Sequence, residues 1–188
     1  TQQVSIANET AVSTTSSGTS VSQATAAASS SQNQSIYEAN VASVAGKMDN
    51  RVIAAYQQLG FKLVVDPSVN YSGYFDARSR SITMKQIDDS VYHELGHFLA
   101  FIAGNVDKTA SFQSIFAAEK ANVTAFNKAY VTQNASEYFA ESVKDYILNN
   151  ASLKSTRPQT YAAVQNALNQ ITDAQIAKIQ KIYGAFWN

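Results

Sequence analysis

Both histidines of this 188-residue chain fall in one pentapeptide, His93-Glu94-Leu95-Gly96-His97. The segment around it, SVYHELGHFLAFIAG, is long and apolar enough to predict a buried helix, with Asp88, Asp89 or Ser90 as its cap and Gly104 as its end. Residues four apart on a helix project from one face, so the two imidazoles must lie one turn from each other. Val91, Leu95, Phe98 and Leu99 pack another way. The fold is therefore constrained to place a cleft or a partner element against the imidazole face, because two buried, unpaired rings are costly.

Two imidazoles at this spacing reach one ion at about 2.0–2.1 Å, and zinc is the ion such a pair suits. Glu94, one position on, sits beside the ion without ligating it, where a base is needed to take a proton from an activated water. A catalytic zinc takes a third protein ligand and leaves one position open. There is no third His, Ala100 and Ala103 stand where an elongated HExxHxxGxxH motif would carry Gly and His, and the chain has no Cys. The third ligand is therefore a carboxylate. Asp107 is close in sequence but past the predicted helix end, and Glu119 and Asp145 are isolated. Glu137 and Glu141, in SEYFAES, are the best candidates: one as ligand, the other as acceptor for a ligand imidazole N–H. Each also has an ordinary reading. Glu137 stands at capping-box spacing from Asn134, and Glu141 suits a solvated surface.

Zero formal net charge and sparse charged residues argue against a nucleic-acid partner. The absence of Cys excludes disulfides, thiolate metal sites and a Cys nucleophile. No apolar run approaches the roughly 18 residues of a membrane span. Residues 1–35 are mostly Ser, Thr, Gln, Asn and Ala, which predicts a flexible linker or tail ahead of a domain over 36–188. The start at Thr1 suggests a mature or excised fragment.

Within 36–188 the pattern is α+β, mainly helical, with a small sheet before the HELGH helix. Ile36, Asn40, Val44, Met48, Val52, Tyr56 and Leu59 follow helical steps and predict one helix ended by Gly60. FKLVVD reads as a buried strand, VNYSGYFDARS as turns, and 80–85 (RSITMK) as a second strand. Further helices are expected over about 109–128, from Asn134 through ASEYFAESVKDYILNN, from Pro158 to about Leu168, and from about Asp173 to Tyr183.

HELGH followed some forty residues later by EYFAE resembles the anthrax lethal factor catalytic domain and the related bacterial Pro-Pro endopeptidases. NYSGYFDARSRSITM and RPQTYAAVQ are similar to that family's strand region and to its segment after the ligand helix, so the likeness spans about 40–175. The resemblance implies a zincin-like metallopeptidase domain with Glu137 as the third zinc ligand, Glu141 behind the ligands, and Tyr130 pointing into the site to polarise the scissile carbonyl. Ser136 and the lone Trp187 depart from the Pro-Pro endopeptidases, which carry an acidic residue before the ligand Glu and a Trp near the substrate strand. The expectation is a secreted or surface-bound bacterial zinc endopeptidase, a monomer, taking an extended peptide along an edge strand at 80–85. The alternatives are a zinc-containing adhesion or binding module and the catalytic domain of a larger toxin.

Overall fold

The computed structural model describes residues 35–187, so the expected linker over 1–35 lies outside the described residues apart from its last position. Four short strands lie ahead of the HELGH helix: β1 (Tyr37–Ala39), β2 (Lys62–Val65), β3 (Gly73–Asp76) and β4 (Ser81–Met84). Their spatial order is β1-β2-β4-β3, with β2 and β4 parallel and the outer pairings antiparallel. Leu63, Val65, Ile82 and Met84 point inward as the alternation predicts. The helices follow: α3 (Ser90–Ile102), α4 (Ala110–Glu119), α5 (Lys128–Val131), α6 (Ala135–Leu148), α7 (Asn150–Thr156), α8 (Pro158–Asn169) and α9 (Asp173–Tyr183). Two more, α1 (Val41–Val44) and α2 (Asn50–Gln58), lie between β1 and β2. The chain is thus a mainly helical α+β fold whose mixed sheet precedes the HELGH helix.

Three expectations need correction. The single helix over 36–59 is a strand and two helices, because Asn40 and Asp49 each accept backbone N–H groups and restart the helix. The helix over 109–128 stops at Glu119 and gives way to a 3-10 turn, a loop and α5. The segment 80–85 is not an edge: β4 is hydrogen-bonded on both sides, to β2 and β3, and among the described residues the free edge near the HELGH helix belongs to β3, in a stretch expected to be turns.

The core is the contact between α3 and α6, the most extensive helix pair in the fold. Leu95, Phe98 and Leu99 of α3 and Tyr138, Phe139 and Val143 of α6 are almost wholly buried, each aliphatic or aromatic side chain contributing roughly 1.5–3 kcal/mol. The two acidic residues set aside as isolated, Glu119 and Asp145, have structural partners. Glu119 accepts the N–H groups of Gln159 and Thr160 (3.0 and 2.9 Å) and the Thr160 hydroxyl (2.7 Å), capping α8. Asp145 pairs with buried Arg157, which also donates to Ser142. Trp187 donates its indole N–H to the Ala77 carbonyl and packs on Phe61 and Phe101.

Candidate metal centre

His93 and His97 project from α3 toward the first turns of α6, with ring centroids 5.0 Å apart. Asn134 accepts the Glu137 backbone N–H (2.9 Å) and so starts α6 where the Glu137 side chain faces the rings. Glu137 Oε2 lies 3.1 Å from His93 Nε2 and 3.6 Å from His97 Nε2. One donor atom from each of the three residues falls within 4.8 Å of the others. Ligands ~2.1 Å from a tetrahedral ion stand roughly 3.4 Å apart, so this His, His, carboxylate set fits a zinc-type ion with a fourth position open. The reciprocal capping-box contact is absent among the described residues, because the Glu137 carboxylate is turned to the histidines instead.

Glu141, one turn further along α6, accepts from the other nitrogen of the same ring, His93 Nδ1, at 2.9 Å. It is buried, and Lys144 lies 3.6 Å from its second oxygen. Glu94 is buried beside the three candidate ligands and is not one of them. Its carboxylate fits only because position 73 of β3 is glycine, where a Cβ would stand 2.7 Å from Glu94 Cγ. Tyr130, on α5, is 53% exposed, with its ring centroid 6.5 Å from that of His93.

Cavities open on both sides of the histidines. One, of about 300 Å³, is lined by His97, Glu94, Tyr74, Phe101 and Asp107 among others. The other, of about 470 Å³, includes His93, Tyr71, Asn127 and Lys144. Tyr130, Gly73 and Glu94 border both. The part of β3 and of Asp107 in this cleft was not apparent from sequence. The glycine in SGYFD marks a close backbone approach, but the residue it approaches is set by the tertiary fold.

The charges follow from these contacts. Burial raises the Glu94 carboxyl, and His93 and His97 offset only part of the rise. Burial also pushes on Glu137 and Glu141, but hydrogen bonds to the histidines win and hold both below the usual carboxylate range. Burial pulls His93 down, but Glu137 and Glu141 outweigh it and bring it to about 9. Burial, followed by the nearby Glu137 charge, pushes the Tyr130 phenol up to about 12, so it stays a hydrogen-bond donor at neutral pH.

In protein stripped of metal by a chelator, the raised His93 pKa stabilises the fold fully below its unfolded value of about 6.5, and this is lost as pH rises through about 9. The lowered Glu137 and Glu141 stabilise above their unfolded values and lose this as pH falls. An incoming ion must displace the His93 proton. Apparent zinc affinity should therefore rise by about tenfold per pH unit between pH 7 and 9, with proton release. Chelator-competition titrations at several pH values check this, and a flat profile would mean that His93 is already neutral.

Residues 77–167 match the family described as anthrax toxin lethal factor, N- and C-terminal domain. The chain is also 41% identical over 78 residues to the Pro-Pro endopeptidase of Clostridioides difficile (strain 630), a match covering 39% of this chain and 34% of the relative. The chain thus spans about a third of that relative's length. The matched segment contains the HELGH helix, Tyr130 and the EYFAE helix, so the likeness to the lethal factor family of zinc metallopeptidases covers the residues that form the His93, His97 and Glu137 cluster.

Proposed function

We propose that the protein is a secreted or surface-bound zinc endopeptidase that hydrolyses extended peptides. The observation that carries the reading is the His93, His97 and Glu137 donor set, with Glu94 buried next to it in an open cleft. Zinc held by these residues supplies a Lewis acid that lowers the pKa of a water toward ~7 and polarises a carbonyl.

The protein's own groups do the rest. Glu94 accepts the proton of the attacking water, helped by a burial-raised pKa, and delivers it to the departing amine. Tyr130 donates its hydroxyl to the carbonyl oxygen as negative charge develops there. Tyr130→Phe keeps the ring and removes the donor, so kcat should fall by roughly 10²–10³ with little change in KM. Steady-state kinetics on one cleaved peptide reads this, and an unchanged kcat would remove Tyr130 from the reaction.

Glu141 orients His93. With Nδ1–H donated to Glu141, Nε2 is left free to ligate. Glu141→Ala should weaken zinc binding about 10–100-fold while leaving the melting curve of the zinc-saturated protein near that of the parent. An unaltered zinc affinity would make Glu141 a bystander.

The substrate is proposed to pair through its backbone with the free edge of β3 rather than with β4. Residues 1–35 serve as linker or stalk in this proposal, on the strength of their Ser- and Thr-rich composition. The test is a diverse peptide library read for new termini by mass spectrometry, with a zinc chelator as control. Cleavage that the chelator abolishes and zinc restores is the expected result. A folded, zinc-loaded protein that cuts nothing would overturn the peptidase reading.

A further inference from the structure

The cavity beside His97 contains a charged group that the reaction does not use. Asp107 lines it and is only 4% exposed. Its backbone carbonyl accepts from Gln113 Nε2, but among the described residues its carboxylate has no hydrogen-bond or ion-pair partner. Each of the other buried acidic residues is accounted for, since Glu119 caps α8, Glu141 meets His93, and Glu94 stands next to the histidines. The Asp107 oxygens are not sealed from solvent, so the carboxylate remains free to meet a matching charge or donor.

Asp107 is held in place from both sides. After α3, Asn105 takes a left-handed conformation (φ 59°) that turns the chain back, and a 3-10 turn over Val106–Lys108 packs against α3 and α6. Thr109 then caps α4 by accepting the Phe112 N–H. The carboxylate is therefore preorganised, and little ordering cost falls on binding. Of the cationic groups bordering this cavity, Lys108 is exposed and makes no ion pair with Asp107, and His97 is turned to Glu137. Ala100 and Phe101 offer an apolar wall. The half of the cleft beside His93 differs, since its lysine, Lys144, already lies near Glu141.

Building on the peptidase reading, we infer that Asp107 sets the specificity of the subsite beside His97, which takes a substrate side chain with a cationic head, lysine or arginine. The aliphatic stem lies along Ala100 and Phe101, and the head meets the Asp107 carboxylate.

Cleavage sites from a peptide library should then show Lys or Arg enriched at one fixed position relative to the cut. On matched peptides differing only there, the kcat/KM ratio of lysine over norleucine, which keeps the stem and removes the charge, should drop roughly 10–100-fold in Asp107→Asn. Asp107→Glu should retain the preference, which separates loss of charge from loss of fold. A ratio unchanged in Asp107→Asn, or a library with no basic enrichment, overturns the inference. The same two peptides titrated by calorimetry into zinc-loaded Glu94→Gln protein need no turnover. If no peptide is cut, the peptidase reading fails, and the same titration with two otherwise identical peptides carrying a central lysine or norleucine still decides Asp107. Tighter lysine-peptide binding that disappears on adding Asp107→Asn supports it, whereas equal affinities overturn it.

Discussion

Glu94→Gln should abolish peptide cleavage, with a loss of about 10²–10⁴ in kcat, while the protein binds as much zinc as before. Glutamine keeps the shape of the side chain and removes its capacity to accept a proton. Glu94 is buried beside the ligating residues but is not one of them, so metal content should not follow activity. Burial raises its carboxyl, favouring the protonated form, and His93 and His97 pull the other way. A divalent ion adds a larger pull toward the ionised form, leaving the group charged and able to act as base at neutral pH. Because the buried carboxylate becomes a neutral amide, stability should not fall. Activity, zinc stoichiometry and a thermal melt on one preparation check all three statements. Residual turnover within tenfold of the parent would assign the proton transfer to another group, and lost zinc would make Glu94 a ligand.

The sequence made the imidazole pair legible because its geometry is local: four residues on a helix define it wherever the helix goes. It could not choose between Glu137 and Glu141 on spacing alone, since both lie on one face of α6 a turn apart. The choice is made by how α6 seats on α3, which puts Glu137 at both rings and Glu141 behind one of them. The resemblance assigned the two glutamates in the same way. β3 was hidden because GYFD is short and only partly buried, so no alternation marks it, and its pairing with β4 creates the strand. The edge was misplaced for a related reason. Sequence order puts 80–85 last, but β4 runs parallel to β2 and sits between it and β3, and only the crossover shows this. The periodicity over 36–59 was real, yet Asn40 and Asp49 cut it, each a cap that competes with continuation of the helix.

Gly96→Ala should damage both the fold and the metal centre through a single methyl group. A Cβ at position 96 would stand 2.7 Å from the Cα and from the carbonyl oxygen of Ala140, well inside van der Waals contact. Both obstacles are backbone, so no rotamer change relieves the clash, and α3 and α6 must separate. Alanine is the better helix former by roughly 1 kcal/mol, and that gain opposes the damage. Overpacking in a dense core costs about 1–3 kcal/mol, and here the displaced element is a whole helix, so the upper end applies and outweighs propensity. For a chain of this length, each net kcal/mol lowers Tm by about 2–4 °C. The metal centre is affected more, because its histidines ride on α3 and Glu137 on α6, and ligand distances tolerate only about ±0.2 Å. Zinc affinity should therefore fall by more than the change in stability alone accounts for. Gly46→Ala is the matched control, since its Cβ would meet nothing closer than the Ala42 carbonyl at 3.7 Å. Melting curves and zinc titrations of the two variants decide the matter. If Gly96→Ala melts and binds zinc like Gly46→Ala, the close approach of α3 to α6 does not hold Glu137 against the histidines.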